Sequence, residues 1–311
     1  MRDKFTPPKP LNTAVLFLIF NRLDVTKQVF QAIRQAKPPR LYIAADGARK
    51  NTEGEAEKVT AVRDYVLQNI DWDCEVKTLF RDKNLGCKYA VSGAIDWFFE
   101  NEEQGIILED DCLPSQSFFW FCEELLERYK GDMRVWHISG DNFQDGVVRG
   151  KGDYYFSKYN HIWGWASWAN RWEHYDVEMN TYLAFKASNE ITNIFFKKNH
   201  QKYWSGVFQK VEKNQIDTWD YQWTYTVLTN AGLSVLPNKN LISNLGFGPD
   251  ATHTLNLESE QSKLPRCEVS LPLKAPLFIL QDSIADDYTE SVIFKKNNIL
   301  LRILSRMMIL Q

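Results

Sequence analysis

No CxxC pair occurs in this sequence, and its cysteines are five in number: Cys74, Cys87, Cys112, Cys122 and Cys267. An odd count without paired spacing argues against a disulfide framework or a zinc cluster and fits a reducing compartment. The apolar run at 14–20 is too short to span a bilayer, and no cleavage-site pattern follows it. With the polar, proline-rich leader at 1–12, this leads us to expect a cytoplasmic protein without a transmembrane helix. Neither sign of charge dominates: 37 basic residues against 40 acidic ones leave a net charge of -3, which gives no global signal for nucleic acid. There is no repeat period and no low-complexity tract. The turn after the first expected strand carries neither GxGxxG nor GxxxxGK[ST], so phosphate groups must be held by other means.

What is present is an alternating grammar. The run at 13–20 reads as a buried strand ending in Asn21-Arg22-Leu23-Asp24. A helix is expected over 25–35, with Asp24 as N-cap and Pro38-Pro39 as stop. A strand at 40–45 closes on Asp46-Gly47, an exposed helix follows over 53–68, then a strand at 74–80 and a helix over 88–100. Strand-helix units in this order predict a mostly parallel sheet with right-handed crossovers.

The stretch that organises the chain is 105–114. Gly105-Ile106-Ile107-Leu108 reads as a short buried strand, and Glu109-Asp110-Asp111 appears where that strand runs out. In an open parallel sheet the crevice beyond the carboxyl ends of the strands takes the ligand. Acids there suit Mg²⁺ or Mn²⁺, ions that keep several waters and bridge to phosphates. The structural alternative is that Asp110 and Asp111 only end a strand ahead of a helix at 115–130.

Beyond a strand at 135–138, which ends at Ser139-Gly140-Asp141-Asn142, the grammar changes. Aromatic residues crowd 154–166, one or two helices are expected over 176–200, and Asp217-Thr218-Trp219-Asp220 opens a helix at 221–230. A strand-like 233–237 follows, and the glycine-punctuated stretch 243–254 is a candidate lid. At about 100° per residue, Lys295, Asn298, Arg302 and Arg306 fall on one narrow face of the tail, largely opposite Ile293, Leu300, Leu301, Leu304, Met307 and Met308. Such a helix suits an anionic membrane surface, a second subunit or the protein itself.

Taken together, the segments 18–22, 44–47, 107–111, Phe118-Phe119, Gly164-Trp165, Trp219-Asp220 and 242–254 resemble, in order and spacing, the GT-A fold inverting glycosyltransferases. The resemblance is to the N-acetylglucosaminyltransferase I type and to bacterial sugar-nucleotide transferases built on the same plan. It implies an α/β, Rossmann-like fold with a mostly parallel sheet flanked by helices, an acceptor-side subdomain and a C-terminal amphipathic helix. The implied divisions are a leader at 1–12, a nucleotide-sugar-binding half at 13–142, an acceptor-side half at 143–280 and a helical tail at 281–311. By the same resemblance Arg22 and Asp46 hold the nucleotide, Asp46 by accepting from the uracil imide. Asp111 ligates Mn²⁺ or Mg²⁺, Asp110 faces the ribose and Glu109 the donor sugar. Trp219 borders that sugar, Asp220 is the catalytic base with Asp217 in reserve, and the loop through His253 closes over the diphosphate. Two departures stand out. The family's histidine near the uracil has no counterpart in 81–86, which leaves the base open, and its membrane-spanning N-terminus is absent, which implies a bacterial cytoplasm.

The implied function is metal-dependent transfer from a nucleotide sugar, UDP-linked on the resemblance, to a glycan or glycolipid hydroxyl. Surface polysaccharide or lipopolysaccharide synthesis is the implied setting, at the inner face of the membrane. Structural alternatives stand beside these roles: Asp220 as an N-cap, Arg22 paired with Asp24, His253 as an ordinary loop residue, and Trp163 and Trp165 as packing. Rival functions are a sugar-phosphate nucleotidyltransferase, which would need a basic glycine-rich loop after strand one, and a non-catalytic carbohydrate-binding or membrane-associated protein.

Overall fold

The computed structural model describes residues 5–246 and 264–294. Its first strand, β1 (Val15–Ile19), is buried along its whole length. Side chains alternate across a strand, so Val15, Phe17 and Ile19 enter one core and Leu16 and Leu18 another. This is why the run is continuously apolar. Beside it lie β2 (Arg40–Ala45), β3 (Glu75–Phe80) and β4 (Gln104–Glu109), joined by α1 (Leu23–Ala36), α2 (Glu55–Gln68) and α3 (Gly86–Phe99).

After β5 (Cys112–Pro114) and α4 (Gln116–Tyr129) come β6 (Val135–Ser139), β7 (Tyr154–Ser157) and β8 (Trp165–Trp168). Short helices α5 (Ala169–Trp172), α6 (Tyr182–Ala187) and α7 (Ile191–Ile194) lead to α8 (Lys198–Glu212) and α9 (Asp220–Thr229). The strands β9 (Leu233–Pro237) and β10 (Ile242–Asn244) and the helix α10 (Ser283–Val292) complete the described elements.

The large sheet has the order β3-β2-β1-β4-β8-β6-β9-β7, and β5 pairs with β10 in a separate two-stranded ribbon. Strands β1 to β4 are mutually parallel. β8 runs antiparallel to both β4 and β6, so β6 and its parallel partner β9 point the same way as β1. β7 is antiparallel at the edge. The α/β class with a mostly parallel, helix-flanked sheet is therefore what the chain adopts. Strands β7, β8 and β9, which follow the division expected at 142, belong to the same sheet as β1 to β4 and β6, so that division runs through the sheet.

Several local expectations change. Helix α1 begins at Leu23 with Arg22 at its N-cap, because the Arg22 carbonyl accepts from both the amide and the hydroxyl of Thr26. Asp24 lies in the first turn, where a carboxylate still complements the helix dipole. The N-terminus of α4 is satisfied from far away: the Glu268 carboxylate accepts from the amides of Gln116 and Ser117 at 3.1 and 2.7 Å. Helix α9 is buried from Gln222 to Leu228 because it is wedged between two cores. Trp223 and Val227 face the sheet, and Tyr225 and Leu228 face the cluster around Trp204 and Phe208. No described helix is long and apolar enough to cross a membrane, and all five cysteines are free thiols.

Candidate active site

The chain leaves β1, steps outward through β2 to β3, and returns with β4 on the other side of β1. That reversal makes the carboxyl ends of β1 and β4 the switch point of the sheet, where open α/β folds bind ligands. Leu18 pairs with Glu109 in the ladder, so Arg22, just past β1, meets the acids just past β4. Its Nη2 donates to Asp111 Oδ2 at 2.8 Å and also to Asp110 Oδ1. The pairing with Asp24 considered above does not form; two carboxylates offset the guanidinium better than one exposed neighbour.

The electrostatics follow from crowding. Burial, then the charges of Asp111, Asp110 and Asp220, push the Glu109 carboxyl up to about 8. Burial raises Asp110 to about 6 although Arg22 pulls it down. Burial lowers the Arg22 guanidinium, but the two aspartates outweigh it and raise the group overall. One oxygen of Asp110, Oδ2, is buried with no hydrogen-bond partner. Among the described residues no three His, Cys, Asp or Glu side chains are arranged as a metal cage.

Asp46 ends β2 and accepts from the amides of Gly47, Leu85 and Gly86 at 2.9 to 3.2 Å, tying the β3–α3 turn to the site. Gly47 permits this approach, since a Cβ there would sit 2.5 Å from the Lys83 backbone. Asp217, the reserve base, instead accepts from the amides of Cys87 and Lys88 at 3.2 and 3.0 Å and so closes the N-terminus of α3.

Asp220 is the first residue of α9, with Trp219 at the N-cap, so it is not the N-cap itself. Its carboxylate is half-buried and accepts from the Thr218 hydroxyl. Burial raises the Cys87 thiol, and Glu109, Asp220, Asp217 and Asp46 raise it further, so these four acids share one electrostatic neighbourhood.

Trp219 departs from expectation. It is only 2% exposed and stacks on Trp165 at 5.6 Å, so packing in the aromatic core leaves it no face for a sugar; it anchors the start of α9 instead. Trp165 packs as expected, stacked also on His137 at 5.0 Å. The ribbon of β5 and β10 lays the chain over the acidic trio: Leu245 N–H donates to the Asp111 carbonyl at 2.8 Å. A Cβ on Gly246 would lie 2.0 Å from Asp111 Oδ2. His253 and the rest of the expected lid fall outside the described residues.

Sequence reasoning passed over a second polar cluster on the same edge. Asp141 follows β6, and both its carboxylate oxygens are buried without a hydrogen-bond partner, as are both ring nitrogens of His161 and both side-chain polar atoms of Asn160. His161 Nδ1 lies 3.4 Å from Asp141 Oδ2, longer than a good hydrogen bond. Beneath them, Trp223 Nε1 donates to His137 Nδ1 at 3.1 Å, which leaves His137 Nε2–H to donate to the His161 carbonyl at 2.8 Å. The signal was available in Ser139-Gly140-Asp141-Asn142, polar residues at a strand's carboxyl end. Thr218, which orients Asp220, carried no signal of its own.

No protein-family model matches the chain, and no curated protein does. Among solved structures it is similar to TarS 1-349 of S. aureus, with 9% identity and a TM-score of 0.39, over 75% of this chain and 59% of that one. It is similar to the glycosyltransferase GlyE in Streptococcus pneumoniae, with 10% identity and a TM-score of 0.34, over 72% of this chain and 45% of that one. A UDP-glucose pyrophosphorylase complexed with UDP-glucose overlaps at 10% identity and a TM-score of 0.34, over 73% of this chain and 90% of that one.

Proposed function

We propose that this chain is a metal-dependent, inverting glycosyltransferase that moves a sugar from a nucleotide-sugar donor, UDP-linked in our reading, to a hydroxyl of a glycan or lipid-linked saccharide. The observation that carries this reading is the convergence of Arg22, Asp110 and Asp111 at the β1/β4 switch point. The acids there fit a divalent cation: a buried oxygen of Asp110 lacks a hydrogen-bond partner, and the crowding raises the Glu109 and Asp110 carboxyls, a repulsion that a cation would relieve. Asp111 would hold Mn²⁺ or Mg²⁺, leaving the other positions to water and substrate. When bound, the ion supplies Lewis-acid neutralisation of charge on the leaving diphosphate.

Arg22, planar and permanently charged, binds diphosphate oxygens. Asp110 faces the ribose and Glu109 the donor sugar. Asp220, held by the Thr218 hydroxyl, takes the proton from the acceptor hydroxyl as it attacks the anomeric carbon opposite the leaving group, which inverts configuration. Asp46 orders the β3–α3 turn that borders the nucleotide. The sequence through His253, outside the described residues, is the lid of this reading, whose closure would exclude water. The acceptor in this reading is membrane-associated, and the basic sequence at 293–311, of which 295–311 lie outside the described residues, suits the anionic inner surface.

Calorimetry with UDP in the presence and absence of Mn²⁺ tests the reading, followed by a donor screen that detects released nucleoside diphosphate. Binding of UDP that requires the metal is expected; full metal-dependent turnover by Asp111→Ala would refute the assignment.

A further inference from the structure

The outer side of α10 and the segments beside it expose large apolar side chains that no described element covers. Leu277 is 88% exposed, Phe278 68%, Leu280 69% and Ile284 70%, and Phe196 reaches 92%. Leu277, Phe278 and Leu280 lie in the segment that leads into α10, and Ile284 lies in its first turn. Helix α10 is fixed by its inner face: Asp286 binds Ser157 and Gln281, and Glu290 binds Tyr159 and the Trp204 indole. Ile284 and Asp287 are three residues apart, so they share the outer face. Asp287 forms an ion pair with Lys197 at 2.7 Å, which sets Phe196 beside that face. Phe195 packs on Trp204 from the same segment, and Phe294, at the end of α10, packs on Trp204 at 4.9 Å.

Charge completes the pattern. Lys197 and Lys198 follow Phe196 directly, Lys202 lies one turn further along α8, and Lys274 lies three residues before Leu277; all four are exposed. The sequence that continues from Phe294 carries Lys295, Lys296, Arg302 and Arg306, and residues 291–311 hold no Asp or Glu. Projecting apolar side chains rimmed by lysines form a ridge, and a ridge partitions into the boundary between headgroups and acyl chains. The lysines not held in an ion pair then meet anionic headgroups.

We propose that the face formed by Phe196, Leu277, Phe278, Leu280 and Ile284 docks on an anionic lipid bilayer, with the folded body itself making contact. This is independent of the catalytic reading. The test is sedimentation of the full chain with phosphatidylcholine vesicles containing about 30% phosphatidylglycerol, and with phosphatidylcholine alone. Wild type should pellet with the anionic vesicles, and less so as salt rises from about 0.1 to about 0.5 M. The triple variant Phe196→Ser, Leu280→Ser, Ile284→Ser should bind about tenfold more weakly while keeping the wild-type melting temperature. Should that variant fail to fold, Lys198→Glu with Lys202→Glu must weaken binding instead. Wild type left in the supernatant, or ridge and lysine variants that pellet like wild type, overturns the proposal. So does a lipid-free dimer that the triple variant abolishes, since the occupant is then a second copy.

Discussion

The Arg22 guanidinium lies 2.8 Å from the Asp111 carboxylate across 89 residues of sequence. The contact exists because β1 and β4 are hydrogen-bonded neighbours that finish side by side. It gives the acidic trio an internal counter-charge, and that counter-charge occupies the carboxylate proposed to hold the metal.

Arg22→Gln should therefore have two opposite effects. Without nucleotide, Mn²⁺ should bind the variant several-fold more tightly, because no guanidinium competes for Asp111; with Mn²⁺ present, UDP should bind at least about tenfold more weakly, having lost a charge-assisted contact. Mn²⁺ titration followed by electron paramagnetic resonance reads the first effect and calorimetry the second. Weaker Mn²⁺ binding by the variant would count against the competition.

Asp220 and Asp217 are close in sequence but differ in what they touch. Asp220→Asn should lower kcat by about 10² to 10⁴ with UDP affinity unchanged, as for loss of a general base. Asp217→Asn should leave kcat within about twofold and destabilise the fold by about 1 kcal/mol, because it removes the acceptor that closes α3. Single-turnover kinetics and urea unfolding on both variants separate the roles; equal loss of kcat in the two would undo the distinction.

Glu109 titrates at about 8 in the fold against 4.5 for a free glutamate. The raised value means that its contribution to stability is fully present below about pH 4.5 and is lost progressively as pH rises to about 8. At neutral pH the metal-free protein holds this proton, and a cation nearby expels it. Mn²⁺ binding measured in buffers of different ionisation enthalpy should show proton release at about pH 7, and Glu109→Gln should abolish most of it. Identical apparent enthalpies across buffers would contradict the proton count.

His137 acts in the opposite sense. Burial, only partly offset by its bond to the His161 carbonyl, lowers it from 6.5 to about 3, so the folded state keeps it neutral. The unfolded chain binds a proton that the fold cannot, so stability is present above about pH 6.5 and falls as pH drops toward 3, by about 1.4 kcal/mol per unit. Glu109 opposes this between pH 4.5 and 8, so the difference between wild type and His137→Gln isolates the histidine. Urea midpoints from about pH 7 to pH 5 should fall more steeply for wild type; parallel curves would exclude the effect.

The alternation of strands and helices, the buried character of β1 and β4 and the acids after β4 were all legible in the sequence. Each depends on local periodicity and on residue types at strand ends. Arg22 and Asp220 were also singled out from the chain, but their surroundings were not. Asp24, two residues from Arg22, was the nearest acid in sequence, yet the partners came from the neighbouring strand. Asp217 looked like a base until the N-terminus of α3, about 130 residues earlier, claimed its carboxylate.

Trp219 shows the same limit from the other side. An aromatic residue beside a proposed base suits a sugar face, but its burial depends on Trp165 and Trp223, which only the meeting of β8 and α9 brings to it. The Asp141, His161 and Asn160 cluster forms where β6 meets the loop before β8, and no local pattern joins those residues. By itself the sequence determined which segments are buried and where charge collects, because burial and period are written within a few residues of one another. Tertiary structure alone decided which carboxylate pairs, which caps and which is left without a partner, because those outcomes depend on sheet order, and strands far apart in sequence become neighbours only when the chain closes its core.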